Sequence, residues 1–480
     1  MNRIKVEHVF LFLALLFGLV WVFLIPPFQS PDEQSHFRRS WSISEGRVFL
    51  ERERDKNGYF VTGAGAYLPA GAANLPGRFD YRLVRFRRWV KFRFGNFRDY
   101  VLSHNFRAGG GRVFKEIGSE AYCPVAYIPQ TAGILAGRAL GLSPLGCFYA
   151  ARIFALLFYA FATFAALRIM PFGRNMLMIV ALLPMSLSIG ASLNTDIVLN
   201  GMLFLFIAYV LNQTFKRPPE PISGKEVAIF LAFCMAIAFL KPVYTPIALL
   251  LLMIPKERFS GRGRVLFLAG CFVLTFALMA AWSLAVRRAI DSGDVSIGLN
   301  PKYQFHVALA HPLRMLGIIY NGYVHYGAIF KAFVGILGWL DFTLPHALYL
   351  LAGLLLASSV AVPQGVPGMG LRPRVLLLAF FALAFAGVNF AMFVEATKVG
   401  ADSVGGVQGR YFTSIVPAAL LAISNTSKKY FNWPVSKVVR SPLFIGSCMA
   451  AMLLSATYYI VLRYYYCGHL SHKCEILLLT

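Results

Sequence analysis
The feature that most limits the fold is a series of uninterrupted apolar runs, read approximately as 9–27, 148–168, 175–191, 197–215, 226–240, 243–254, 264–286, 345–362, 375–394, 411–424 and 442–462. They do not alternate polar with apolar residues as barrel strands do, and about 17–22 apolar residues is the length a helix needs to cross a bilayer. The chain is 480 residues, 58% hydrophobic and only 14% charged, whereas a soluble domain carries roughly 25% charged residues. Its mean hydropathy is +0.62. Composition and pattern together predict an all-α polytopic transmembrane helical bundle of about 11–13 spans. Some runs are short, and Lys241-Pro242 separates two of them, so boundaries there are soft. The first run, Val9 to Ile25, follows a short basic flank (Arg3, Lys5) and ends in Pro26-Pro27 with no small-residue cleavage site. That argues for a retained anchor over a signal peptide.

Orientation follows from Lys and Arg in short loops. Arg168 and Arg174, then Lys216 and Arg217, then Lys256, Arg258, Arg262 and Arg264 fall at every second crossing. Arg372 and Arg374 continue the series, as do Lys428, Lys429, Lys437 and Arg440. With the N-terminus inside, every one of these groups is cytoplasmic. The segment Tyr127 to Leu142 is apolar but short, with Arg138 near its end; it reads as a membrane-embedded or re-entrant helix, or as one span offset by another. The same rule accounts for much of the net charge of +25, and no nucleic-acid partner is expected. The whole chain, 1–480, reads as one membrane-embedded domain with a large first outer loop at 28–122, where interfacial helices are expected.

Three further segments come out on the outer face: Asn194-Thr195-Asp196, 287–344 and 395–410. The first outer loop opens with Pro26-Pro27-Phe28-Gln29-Ser30-Pro31-Asp32-Glu33-Gln34-Ser35-His36-Phe37. Carboxylates beside a bilayer are expensive unless they work or pair. Asp32, Glu33, His36, Asp196, Asp341, Gln408 and Arg410 all fall on this face under a topology drawn from Lys and Arg alone, and Lys241 joins them at the end of its run. Each also has a plainer reading. Asp32, Glu33 or Asp196 could cap a helix, His36 could be a satisfied interfacial histidine, and Lys241 could snorkel to head groups. Gln408-Gly409-Arg410 could be a tight turn with the arginine on lipid phosphate.

The run Tyr81 to Phe94 interleaves basic and aromatic residues, as an amphipathic helix in the head-group layer does. The seven cysteines show no metal-ligand spacing. Cys123, Cys147, Cys234, Cys271 and Cys448 read as small core residues, while Cys467 and Cys474 lie in the tail after the last run, where their spacing permits a disulfide without requiring one.

The pieces Pro31-Asp32-Glu33-x-x-His36-Phe37, Tyr122-x-Pro124-x-x-Tyr127-x-Pro129-Gln130, Ala151-Arg152, Lys241-Pro242-x-Tyr244, Gly338-Trp339-Leu340-Asp341 with Pro345, and Val407-Gln408-Gly409-Arg410-Tyr411-Phe412 resemble the bacterial membrane family catalogued as domain of unknown function 2142. The arginine-rich stretch 78–115 has no counterpart in that pattern. The family in turn looks like the C-type (GT-C) membrane glycosyltransferases, which carry an acidic residue just after the first span. Those enzymes take sugars from polyprenyl-phosphate carriers on the outer face.

The resemblance implies a multi-pass protein of the bacterial inner membrane, with a polyprenyl-phosphate sugar donor, a glycan or lipid acceptor in cell-envelope polysaccharide synthesis, and membrane lipids as its partners. In that chemistry Asp32 is the expected catalytic base, and Glu33 orients it or, with Asp32, holds a divalent cation, although no ligand spacing demands a metal. Arg410 and Lys241 are the expected phosphate contacts. His36, Asp196, Asp341 and Gln408 complete the expected substrate-binding set. The rival classes are a flippase for lipid-linked saccharide and a non-catalytic assembly partner. Transporters place ionisable residues at mid-span, whereas here the polar groups gather at one face.

Overall fold
The computed structural model describes residues 4–53, 63–78, 111–119, 121–216, 219–290, 298–326, 328–362, 369–425 and 434–466. The basic-aromatic run 81–94 and both Cys467 and Cys474 lie outside the described residues. The described residues are mainly helical. Among the described residues six helices are long and apolar enough to cross a membrane.

The first of these, α1 (Val6–Leu24), is stopped by Pro26 and Pro27 and followed by the short α2 (Glu33–Ser44). The described parts of the first loop then form β1 (Gly65–Pro69), α3 (Ala70–Arg78) and β2 (Arg112–Glu116), with β1 and β2 antiparallel and Gly65 opposite Glu116. The segment read as short and apolar is α4 (Ile128–Ala139), about 18 Å long at 1.5 Å per residue against a hydrocarbon core of about 30 Å. It is shorter than such a core is thick, and it packs back against α5 (Pro144–Ile169). A Cβ on Gly133 would meet the backbone of Ala150 and Ala151 at 2.6 Å, so only glycine lets these helices approach so closely. Ser143 caps α5 by accepting from the Gly146 N–H, and Pro144 takes the first helical position, where its missing N–H does no harm.

The run 175–191 is not one span. Pro184 cannot continue a helix, and the chain divides into α6 (Arg174–Leu182) and α7 (Pro184–Gly190). Then come α8 (Asp196–Phe215) and α9 (Gly224–Ala238), the latter opened by a Ser223–Glu226 capping box. The run 243–254 is a 3₁₀ helix over Pro242–Met253. Beyond α10 (Gly263–Ile290) lie α11 (Pro301–Ala310), α12 (Pro312–Tyr326) and α13 (Ile329–Gly335), followed by a hairpin of β3 (Ile336–Leu337) and β4 (Phe342–Thr343). α14 (His346–Ala361) and α15 (Leu371–Ala396) follow. The run 411–424 is a 3₁₀ turn at Gly409–Phe412 and then α16 (Val416–Ile423). The chain closes with α17 (Pro434–Val439) and α18 (Pro442–Val461).

The core sits around α5 and α8. Of the apolar window of α8, 72% is buried, against 17% for α10, so α8 is an inner helix and the described residues leave α10 largely uncovered. First and last helices are tied together: the Trp21 indole donates to Thr457 Oγ1 at 2.7 Å and the Tyr465 hydroxyl to the Leu24 carbonyl at 2.8 Å. α1 therefore ends against the bundle with its following bend held in place.

Candidate functional site
A single buried arginine organises the bend after α1. Arg152, on α5, gives Nε to Glu33 Oε1 at 2.8 Å and Nη2 to Glu33 Oε2 at 2.7 Å. Its remaining N–H groups go to the carbonyls of Val22, Ile25 and Pro26 at 2.8, 2.7 and 3.2 Å. A guanidinium has five N–H donors, and all are used. Glu33 Oε1 also accepts the Leu193 backbone N–H at 3.2 Å. The node thus ties the end of α1, the start of α2 and the turn before α8 together. Sequence reasoning expects Glu33 beside Asp32 as an orienting group or cation ligand. Here Glu33 is fully buried and committed to Arg152, so the two carboxylates do not converge on one ion. Among the described residues no group of three or more His, Cys, Asp or Glu side chains is arranged to hold a metal.

Asp32 is held differently. It occupies the N-cap position of α2 but makes no capping hydrogen bond, and its backbone is left-handed, φ 62°. That conformation costs an ordinary side chain roughly 1–2 kcal/mol, and Asp and Asn tolerate it best. Its side chain is 54% exposed and pairs with Arg410, Nη2 to Oδ2 3.3 Å. Phe28, at the start of the same bend, also has positive φ (64°), and its carbonyl accepts the Trp339 indole at 2.9 Å.

Around Asp32 the structure assembles Asp196, Lys241, Arg410 and His36. Asp196 begins α8 and is buried; Asn194 Oδ1 accepts its backbone N–H at 2.8 Å. The Asp196 carboxylate is left for Lys241, Nζ to Oδ1 2.5 Å, and for Arg410, Nε to Oδ2 3.6 Å. Lys241 therefore does not snorkel: its ammonium sits 5.4 Å from the ring centres of both Tyr122 and Tyr411, an aromatic clamp on a cation. Burial is the largest single influence and works against that charge, but Asp196 together with Tyr122, Tyr244 and Tyr411 outweighs it and holds the Lys241 pKa above the usual lysine value. Arg410 is only 4% exposed, with the Tyr411 ring beside it. Its Nη1 has no acceptor at hydrogen-bonding geometry among the described residues. Two carboxylates face two cations.

His36 accepts or donates at Nδ1 with the Tyr127 hydroxyl, 2.9 Å away. Burial lowers its pKa to about 4; Asp32 and Asp196 pull it up while Arg410 and Lys241 push it down. The folded value lies below the ordinary 6.5, so between these two values the unfolded chain binds a proton that the fold refuses. Stability is lost as pH falls through that window. His36→Gln, which keeps a partner for Tyr127, should flatten this part of the pH dependence. Melting temperatures of both proteins at about pH 7.5 and about pH 4.5 check it; equal losses in the two would refute it.

Two expected residues stand apart. Asp341 is not brought into the cluster: Oδ1 accepts the Trp339 N–H at 3.0 Å and Oδ2 pairs with Arg463 at 2.8 Å. It closes the Gly338–Asp341 turn. Gln408 lies two residues before Arg410, its Oε1 buried with no partner among the described residues, on the wall of a neighbouring apolar cleft. Sequence reasoning misses the tyrosines as site residues. Tyr122, Tyr127 and Tyr411 surround the charges, and Tyr244 donates to the Tyr411 carbonyl at 2.7 Å; their signal in sequence is their place in the pieces that carry the family resemblance.

Apolar helices around a buried, charge-balanced polar cluster define a polytopic helical membrane protein. The family model described as predicted membrane protein, domain of unknown function 2142, matches residues 15–419. The chain belongs to that family. No curated protein and no solved structure matches it.

Proposed function
We propose that this protein is a GT-C-type glycosyltransferase of the bacterial cytoplasmic membrane, moving a sugar from a polyprenyl-phosphate carrier to a glycan or lipid acceptor on the outer face. One observation carries the reading. Asp32 is half exposed, makes no side-chain capping bond, and sits at 3.3 Å from a buried arginine whose Nη1 has no acceptor among the described residues. A carboxylate so placed can take the acceptor hydroxyl proton, work worth typically 10²–10⁴-fold in rate. The acceptor oxygen then bonds to the anomeric carbon, the carbon–oxygen bond to phosphate breaks, and the departing phosphate keeps the electron pair. Arg410, with Lys241 behind it, steadies that charge through hydrogen bonds that strengthen as it develops. Asp196 holds both cations in place, and Gln408 is free to meet a substrate hydroxyl. His36, neutral near pH 7, contributes no further charge.

The direct test supplies the purified protein, in liposomes, with radiolabelled polyprenyl-phosphate sugars and a polysaccharide-precursor acceptor. Transfer of label to the acceptor supports the reading. Movement of intact donor across the bilayer without transfer would replace it with a flippase, and neither event would favour a non-catalytic partner.

The orientation has its own check. Asp402 and Glu257 are both exposed and belong to opposite ends of the proposed topology. A single cysteine at 402 should label with a membrane-impermeant thiol reagent in intact cells, and one at 257 should label only after permeabilisation. The reverse pattern would put the Asp32 cluster on the cytoplasmic side.

A further inference from the structure
Next to the polar cluster lies an apolar cleft of about 330 Å³, within the size range of small-molecule sites. Tyr323 of α12, Ala328, Ile329 and Ala332 at α13, Leu340 and Gln408 are on its walls. The Tyr323 hydroxyl is turned to Asn389 Oδ1, 2.9 Å, so Gln408 is the wall's available polar group.

Both walls are linked to the charged cluster through the chain. Gly409 packs so tightly on α13 that a Cβ there would collide with the backbone of Ala332 and Phe333, and the next residue is Arg410. Leu340, with a left-handed backbone of its own (φ 62°), follows Trp339, whose indole holds the Phe28 carbonyl at the start of the bend leading to Asp32. Cleft and cluster therefore share their supports, and Gln408 on the cleft wall lies two residues from Arg410. The cluster carries two cations, and the cleft is apolar.

We infer that the cleft holds the isoprene units nearest the phosphate of a polyprenyl phosphate, with the phosphate at Arg410 and Gln408 at the junction. The inference rests on the functional reading above and says where the carrier's chain lies. The chemistry selects this ligand. A single-chain phosphate ester carries its charge at one end and apolar carbon along the rest, as the site does. A nucleotide sugar needs polar partners along its whole length, and the cleft walls do not offer them.

The experiment uses the full chain in lipid nanodiscs and geranylgeranyl phosphate bearing a diazirine on its second isoprene unit, with adducts mapped by mass spectrometry. Adducts should fall within 322–340 and 404–408. An excess of unlabelled polyprenyl phosphate should suppress them ~10-fold or more, and inorganic phosphate should not, because it lacks the apolar chain that supplies most of the binding. Ala328→Trp, which fills the cleft without touching the charged cluster, should cut the competed labelling to a similar degree. If that variant does not fold, the wild-type map decides alone. Competed adducts confined to another surface, such as the crevice of His8, Val9 and Leu443, would overturn the cleft assignment and leave the donor reading standing. Labelling that polyprenyl phosphate does not compete anywhere would overturn both.

Discussion
Asp32→Asn should reach the membrane at wild-type abundance and lose glycan transfer by ~10²-fold or more. The substitution isolates chemistry from structure for two reasons. Asn tolerates the left-handed backbone at this position as Asp does, and Asp32 makes no capping bond whose loss could weaken α2. The pair to Arg410 is long, 3.3 Å, and half exposed on the aspartate side, so its removal should change stability by less than about 1 kcal/mol. The measurement is transfer activity, or complementation of a glycan phenotype, at matched membrane abundance. Full rescue by Asp32→Asn would remove Asp32 as the base and raise the flippase and partner readings above the enzyme. Arg410→Lys offers a contrast: it keeps charge but loses the fork, so donor binding should weaken in a salt-dependent way.

Arg152→Ala should be the most destabilising single change among the site's supports, by about 3–5 kcal/mol, because it leaves a buried carboxylate with no cation. Three backbone carbonyls lose their donor in the same step. Low membrane abundance and a much lower melting temperature in detergent are the expected readouts. Arg152→Lys should recover little, since an ammonium's three N–H groups cannot replace a five-donor fork. Adding Glu33→Gln to Arg152→Ala should restore part of the loss by removing the stranded charge. An Arg152→Ala protein that melts like wild type would show that the node is not what holds the bend.

Much of the cluster is legible in the amino-acid sequence. The positive loops place Asp32, Asp196, Lys241 and Arg410 at one face, and the fold draws all four together with His36. What is not legible is pairing. Nothing near Glu33 announces that its partner lies on α5, or that Asp341 belongs to Arg463. Two acidic neighbours in sequence suggest one shared job; the first turn of a helix sends them to different places, Asp32 to the surface and Glu33 into the core. The apolar runs announce a helical membrane protein, but hydropathy is blind to where a helix stops. Pro184 sits inside a run that stays apolar on both sides, and Pro417 follows the Gly409–Phe412 turn in another. In each case the run continues while the helix does not.

Arg152 also bears on how the protein can be made. An arginine within a membrane helix is expensive to release into lipid on its own, about 2.5–3.5 kcal/mol even by insertion measurements. Chain order resolves this, because Glu33 leaves the ribosome 119 residues ahead of Arg152. By the time α5 is handed to the bilayer, α1 and the start of α2 are already waiting there with a carboxylate and three carbonyls. The first bend of the protein thus acts as a receptor for a later helix, and insertion of α5 should depend on the segment that precedes it.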